Sequence, residues 1–89
     1  MEIEFHPAKD EVNCHKRGIS LSLASRIDWP AVMCKPDTRH DYGEVREIGY
    51  AVVEGRLYCV VFTQHDPVIH VISLRKANSR EVRHYAEIN

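Results

Sequence analysis

No part of this 89-residue sequence is apolar enough to cross a membrane, since its longest apolar run, Leu57 to Phe62, has six residues. A membrane-spanning helix needs about 20 such residues. The first residues, Met1 to Phe5, lack the basic and apolar regions of a signal peptide. The three cysteines contain no CxxC pair, so they encode neither a disulfide framework nor a zinc knuckle. These absences predict a cytoplasmic protein with free thiols.

Sequence motifs that indicate a cofactor or a metal ion are also absent. The sequence contains no GxGxxG, no phosphate-binding loop and no nucleophile elbow around a serine. The six histidines form no HxH or HExxH arrangement. We therefore expect neither a metal site nor a bound cofactor, and a serine hydrolase finds no support.

The overall charge gives no support for nucleic-acid binding, because 12 Lys and Arg residues oppose 13 Asp and Glu residues, for a net charge of −1. The charges are unevenly distributed, however. Four cations stand close together near the end of the chain, at Arg75, Lys76, Arg80 and Arg83. A local basic patch can hold a polyanion even when the total charge is near zero.

The chain length permits one small domain, residues 1–89, with one modest core. In its N-terminal third, the alternation of Ile3 and Phe5 with polar residues predicts a short strand. Residues 8–17 predict a helix whose inner face carries Ala8 and Val12. Ser20 can cap a second helix, which ends before Pro30.

The rest of the chain predicts strands followed by one helix. Asn78 and Glu81 form an Asn-x-x-Glu version of a capping box, which opens a helix that ends near residue 88. The mainly apolar stripe of this helix carries Val82, Tyr85, Ala86 and Asn89. The predicted strands cover residues 45–53, 56–63 and 68–74, with a further short candidate at 32–34 and a polar loop at 35–43.

Short turns between the later strands imply antiparallel pairing. The sequence therefore predicts an α+β domain: a small antiparallel sheet with two N-terminal helices and one C-terminal helix. The predicted order is β-α-α-β-β-β-α, and the helices are expected mainly on one face of the sheet.

Two groups of cations are candidates for an anion site. Arg75 and Lys76 lie just before the predicted last helix, whose N-terminal N–H groups also attract anions. Arg80 and Arg83 lie on the basic face of that helix, so these cations would either hold a phosphate or form a solvated helix face. Arg46 shares the strand phase of apolar residues, and it would either reach the sheet edge or point into a functional cleft.

Several short motifs, taken in order along nearly the whole chain, resemble one bacterial family. The motifs are FHPAK (5–9), NxxK (13–16), GIS (18–20), DYGEVR (41–46), GRL (55–57), VVFT (60–63) and ISLRKAN (72–78), followed by Arg80, Glu81 and Tyr85. Each motif alone is weak. Their order and spacing together resemble the BrnT toxins of type II toxin–antitoxin systems, which are small RelE-like ribonucleases paired with BrnA-type antitoxins.

The resemblance implies a RelE-like fold and a metal-independent endoribonuclease that inhibits translation and growth. In such an enzyme the 2′-OH of RNA attacks the adjacent phosphate, while fixed guanidinium groups stabilise the developing charge. The phosphate clamp would consist of Arg46, Arg75 and Arg80. His70 or Glu44 would serve as general acid or base. The RNA-binding residues would be Lys9, Lys16, Arg17, Lys76 and Arg83.

The resemblance also implies a partner, a BrnA-like ribbon-helix-helix antitoxin that covers the basic site. Operator DNA would then be contacted through the antitoxin, and the expected assembly is 2:2.

Three positions depart from the family pattern: His6 replaces the usual Asp, Arg17 the usual His, and His70 a common Arg. Strict strand alternation also places His70 and Arg75 on opposite faces, unless the strand twists or ends before Arg75. These features leave an alternative open, a catalytically weakened module that only engages the antitoxin or RNA. A plain structural α+β domain with a solvated basic helix is the third hypothesis.

Overall fold

The structure is a computed structural model that describes residues 1–41 and 43–88. Tyr42, in the DYGEVR motif, and Asn89, at the end of the predicted apolar stripe, lie outside the described residues. The elements are β1 (Glu2–Glu4), α1 (Pro7–Arg17), two 3₁₀ helices (Leu21–Arg26 and Trp29–Ala31), β2 (Met33–Pro36), β3 (Glu47–Val53), β4 (Arg56–His65), β5 (Val68–Lys76) and α2 (Ser79–Ile88). None of the described helices is long and apolar enough to span a membrane.

The five strands form one sheet in the order β1-β5-β4-β3-β2. Strands β2 to β5 pair antiparallel, as predicted. At the other edge, β1 runs parallel to β5, with Glu2 opposite Val68, so the prediction of a wholly antiparallel sheet is wrong there. No hairpin joins β1 to β5, and the turn lengths that predicted antiparallel pairing therefore do not constrain its direction. The α+β class is confirmed.

The predicted second helix is wrong in type, because the segment after Ser20 forms two short 3₁₀ helices instead of one α-helix. Ser20 caps the first of them, and its hydroxyl accepts a hydrogen bond from the N–H of Ser22 at 3.1 Å. In a 3₁₀ helix residues three apart share one side, and Leu21 and Ala24 are both fully buried. The predicted order is also short by one strand, since β2 is part of the sheet and four strands follow the helices.

The core lies between the first 3₁₀ helix and one face of the sheet, which we call the core face. Val60 and Phe62 of β4 and Leu74 of β5 are buried there. Trp29 closes one side, because its ring meets Phe62 edge-on at a centroid distance of 4.9 Å. Its indole N–H donates to the carbonyl of Ala24 at 3.1 Å, so the partly buried polar edge of the ring has a hydrogen-bond partner.

A β-bulge in β5 changes which residues share a face. Two successive residues of β4 pair with Ser73 and Val71, so Ile72 is an extra residue in β5. Beyond the bulge, His70 returns to the same face of the sheet as Arg75. The strict alternation that predicted opposite faces is wrong here, because one inserted residue reverses the two-residue period.

Helix α2 lies over the face opposite the core face, which we call the second face. Its Glu81 forms hydrogen bonds with Tyr50 of β3 and Arg75 of β5, both on the second face. The prediction that the helices pack mainly on one face is therefore wrong. Strand β5 continues to Lys76, so Arg75 and Lys76 lie in the strand and not in the turn before α2.

Helix α1 is attached to the sheet by a polar side chain. The Nδ2 of Asn13 donates to the carbonyls of Leu74 at 2.9 Å and Ile19 at 2.7 Å, and its Oδ1 accepts from the N–H of Leu74 at 3.2 Å. Strand β1 pairs with β5 only over Val68 to His70. Beyond that point, the amide of Asn13 supplies hydrogen-bond partners to the backbone at the edge of β5. The predicted inner face is wrong, since Val12 is 62% exposed and Ala8 is exposed, whereas Asn13 is buried.

We predict that Asn13→Ala destabilises the fold by about 2–3 kcal/mol, because it leaves buried backbone groups of Leu74 and Ile19 without partners. Urea unfolding followed by circular dichroism measures this loss. Glu11→Ala, at an exposed position of the same helix, is the matched control and should change stability by less than about 0.5 kcal/mol. Equal stability of the two variants would show that the amide of Asn13 does not hold α1.

Candidate functional site

A cavity of about 410 Å³ opens on the second face of the sheet. Alternate residues of β3, β4 and β5 reach this face because the three strands are paired in register. The floor consists of Ile48, Tyr50, Cys59, Val61, Ser73 and Arg75. The bulge in β5 brings Ser73 and Arg75 to this floor while Leu74 and Val71 remain in the core.

Five cationic side chains line this cavity, and one carboxylate, Glu81, lies among them. The cations are Lys16, Arg17, Lys35, Arg39 and Arg75, and we call the site the cationic cavity. Arg39 is paired with Asp37, and Arg75 with Glu81. Within residues 1–41 and 43–88, the other three cations form no salt bridge. They are therefore available to an anionic ligand, although the net charge of the chain is −1.

Local structure explains how α1 and β2 supply three of these cations. Helix α1 ends at Gly18, whose left-handed backbone (φ 69°) lets its N–H donate to the carbonyl of Cys14 at 2.8 Å. Asn13 holds the helix beside Leu74, so the last turn, with Lys16 and Arg17, lies at the cavity. Lys35 comes from β2, where it pairs with Ile48 of the cavity floor.

The carboxylate of Glu81 is the most highly bonded group of the site. Nη1 of Arg75 donates to its Oε1 at 2.8 Å, and Nη2 donates to its Oε2 at 2.9 Å. The hydroxyl of Tyr50 donates to Oε2 at 2.8 Å, and the N–H of Asn78 donates to Oε1 at 2.9 Å. The N–H of Glu81 in turn donates to Oδ1 of Asn78 at 2.8 Å, which confirms the predicted capping box.

These bonds set the protonation states around the cavity. The hydrogen bonds from Arg75, and further those from Asn78 and Tyr50, lower the pKa of Glu81 to about 2 against the opposing effect of burial. Burial, and then the bond to Glu81, raises the pKa of the Tyr50 hydroxyl. Burial also raises the pKa of the Cys59 thiol. At neutral pH the site therefore holds an ionised Glu81, a protonated Tyr50 and a neutral Cys59.

In the part of the chain that the structure describes, no three His, Cys, Asp or Glu side chains are grouped as a metal site requires.

The three arginines assigned to one phosphate clamp line three neighbouring cavities. Arg75 lines the cationic cavity. Arg46 lies just before β3 with its Nε 3.4 Å from Oε1 of Glu44, and both line a cavity of about 470 Å³ in the loop between β2 and β3. Arg80 lines an apolar groove of about 680 Å³ between α2 and β2. The structure does not bring these groups into one cavity, although Arg39 also lines the loop cavity.

The other predicted site residues divide between the cationic cavity and the rest of the surface. Those that line the cavity are Lys16 and Arg17, and those that do not are Lys9, His70, Lys76 and Arg83. His70 pairs with Thr63, whereas Arg75 pairs with Cys59, four residues away along β4. At about 3.3 Å per residue the two positions are about 13 Å apart, so they share a face but not a cavity.

Sequence reasoning missed five polar residues of the cavity, which are Lys35, Arg39, Tyr50, Ser73 and Glu81. Tyr50 has the same strand phase as Arg46, a signal that indicated a face but not its use. The sequence pattern indicates that Glu81 caps a helix, yet its bond to Arg75 has no signature in the sequence. Lys35 and Arg39 were part of a segment predicted as a polar loop, where no periodicity indicates direction.

Comparison with known proteins fits this architecture. A family model described as the ribonuclease toxin, BrnT, of type II toxin–antitoxin systems matches residues 5–81. The chain belongs to the BrnT family. A solved structure, the ribonuclease toxin BrnT of Brucella abortus, is similar with a TM-score of 0.66, over 89% of this chain and 99% of that chain at 19% identity. No curated protein sequence matches the chain. The chain is therefore a BrnT-type toxin, and its partner is an antitoxin.

The segment that matches the BrnT model contains every residue that lines the cationic cavity, and Glu81 is its last position. One departure from the BrnT pattern keeps a helix cap. His6, in place of the usual Asp, still caps α1, because its Nδ1 accepts a hydrogen bond from the N–H of Ala8 at 3.1 Å.

We predict that Glu81 makes stability depend on acid pH. The pKa of Glu81 falls from an ordinary 4.5 to about 2 on folding. Its ionised carboxylate therefore contributes fully to the free energy of unfolding above pH 4.5, and this contribution is lost as the pH falls toward 2. The difference in unfolding free energy between the wild type and Glu81→Gln should therefore be largest above pH 5 and shrink below it. Urea unfolding at pH 7, 5 and 3 measures the difference, with Glu11→Gln as an exposed control. A difference that does not change with pH would contradict the lowered pKa.

Proposed function

We propose that this BrnT chain is an endoribonuclease that cleaves RNA in the cationic cavity without a metal ion. The observation that carries the proposal is the lining of this cavity, in which five cations surround one carboxylate. Such a lining favours a polyanion such as the phosphate backbone of RNA. Fixed cations on several elements can stabilise negative charge that develops on a phosphoryl group.

RNA supplies the nucleophile itself. The 2′-oxygen attacks the adjacent phosphorus and passes its proton to a water molecule, while the bond from phosphorus to the 5′-oxygen breaks and that oxygen gains a proton. The products are a 2′,3′-cyclic phosphate, or the 3′-phosphate formed from it by hydrolysis, and a 5′-OH. The protein needs to align the attack in line, neutralise the phosphoryl oxygens and transfer the protons.

Arg75 is the proposed phosphate clamp, since it lies on the cavity floor among the strands. Glu81 is a poor base, because its pKa is about 2 and both of its oxygens already accept hydrogen bonds. The earlier candidates for general acid or base, His70 and Glu44, do not line the cavity. We therefore propose that the ammonium group of Lys16 or Lys35 protonates the leaving 5′-oxygen.

We also propose that the antitoxin is a BrnA-like ribbon-helix-helix protein that covers the cationic cavity. Helix α2 supports a protein contact nearby, because it has no buried residue and exposes Val82 and Ile88 to 45% and 53%. A ribbon-helix-helix protein is a dimer, so two toxins would bind one dimer in a 2:2 assembly. The antitoxin would then make the contacts with operator DNA.

We predict that the purified toxin cleaves RNA in the presence of EDTA and leaves cyclic-phosphate and 5′-OH ends. Arg75→Ala, Lys16→Ala and Lys35→Ala should each lower the single-turnover rate by about 100-fold or more, as expected for loss of a group that stabilises the transition state. The matched control is Arg56→Ala, an exposed cation at the start of β4, which should cleave like the wild type. Gel analysis of a labelled oligonucleotide measures the rates.

The same assay separates the alternatives. RNA or antitoxin binding without cleavage would favour the catalytically weakened module. The supporting observation is that no histidine among the described residues lines the cavity. Normal cleavage by Arg75→Ala would remove the cationic cavity from the mechanism. Loss of cleavage in EDTA, restored by Mg²⁺, would contradict metal independence.

We predict that the coexpressed toxin and antitoxin form a complex whose mass corresponds to two chains of each, by light scattering. The complex should bind operator DNA, whereas the toxin alone should not. The double variant Val82→Asp and Ile88→Asp should weaken the complex if α2 takes part in the contact. Operator binding by the isolated toxin would contradict the assignment of that contact to the antitoxin.

A further inference from the structure

We propose that Glu81 is a positioning residue for RNA cleavage: it holds the guanidinium of Arg75 by one edge, so that the other edge faces the scissile phosphate. The proposal deepens the assignment of the cationic cavity as a ribonuclease site and rests on it. It gives Glu81 a role beyond capping α2, as the group that makes the two shortest hydrogen bonds with the Arg75 guanidinium.

A guanidinium group has two edges that each present a pair of parallel N–H donors. Glu81 occupies the end edge of Arg75, since Nη1 and Nη2 donate to its two oxygens at 2.8 and 2.9 Å. Within residues 1–41 and 43–88, Arg75 also donates from Nη1 to the carbonyl of Lys76 at 3.3 Å, but no hydrogen bond involves its Nε, so the side edge formed by Nε and Nη2 remains open. The side chain of Arg75 is still 33% exposed despite the ion pair. A phosphate can therefore bind the side edge while Glu81 keeps the end edge.

Glu81 is itself held from two directions, which makes it a rigid support. The hydroxyl of Tyr50 binds its Oε2 from the sheet, and the N–H of Asn78 binds its Oε1 from the start of α2. The pair is also largely shielded, since the Glu81 side chain is 17% exposed. A carboxylate with four donors cannot rotate without losing several of them, so it restricts the rotamers of Arg75.

The chain offers a matched pair of variants that separates this role from helix capping. Glu81→Gln removes the charge and one acceptor but keeps a residue type that serves at the third position of a capping box. Asn78→Ala removes the side chain that caps α2 but keeps the backbone N–H and the carboxylate bound to Arg75. The first variant should therefore release Arg75, and the second should only destabilise α2.

Single-turnover cleavage of an RNA oligonucleotide supplies the first measurement. We expect Glu81→Gln to lower the maximal rate by about 10-fold or more. The RNA concentration that gives half of the maximal rate should stay within about 3-fold of the wild-type value, because the remaining cations still bind the RNA. Asn78→Ala should lower the melting temperature and leave the rate within about 2-fold below that temperature. An unchanged or faster rate for Glu81→Gln, or an equal loss of rate in both variants, would overturn the proposal.

NMR of the Arg75 side chain supplies a second measurement that does not depend on cleavage. In the wild type and in Asn78→Ala, the Nη groups of Arg75 should give separate resonances with slow rotation about the Nε–Cζ and Cζ–Nη bonds. In Glu81→Gln the resonances of the Arg75 Nη groups should average, because rotation about these bonds becomes fast. Averaging in the wild type as well would overturn positioning by Glu81. If the wild type cleaves no RNA but holds Arg75 rigidly, the ribonuclease assignment fails while the positioning of Arg75 stands.

Discussion

The register of β5 is the constraint on which the rest of the structure depends. One extra residue, Ile72, lets Val71 and Leu74 both face the core while Ser73 and Arg75 face the cavity. If β5 alternated regularly, without the extra residue, the apolar side chains either before or after position 72 would point away from the core. Because Arg75 follows the bulge, a feature that completes the core also sets the direction of the proposed phosphate clamp.

The same strand determines where α1 lies. Strand β1 covers only the first part of the β5 edge, and the amide of Asn13 satisfies both backbone groups of Leu74 further along. This contact places the C-terminal turn of α1, with Lys16 and Arg17, at the mouth of the cavity. A buried polar bond and the electrostatics of the site are therefore linked through one backbone position.

The cationic cavity shows how a chain with a net charge of −1 presents a strongly positive site. Bringing five cations together costs electrostatic repulsion, which Glu81 and Asp37 reduce where they pair with Arg75 and Arg39. The two acidic partners leave three cations without a salt bridge in the described part of the chain. The repulsion among them is relieved when an anion binds, which favours a phosphate-bearing ligand.

Local signals in the sequence determined the secondary structure of most of this protein. Strands β3, β4 and β5, the turn at Glu54 and Gly55, the ends of α1 and the capping box of α2 all follow from patterns within about ten residues. The motifs that identify the BrnT family are also local. Tertiary structure alone decided the parallel pairing of β1, the bulge in β5 and the burial of Asn13 in place of Val12. It also decided that Lys35 and Glu81 join Arg75 while Arg46 and Arg80 line other cavities, because contacts between distant segments depend on packing and register, which no local pattern specifies.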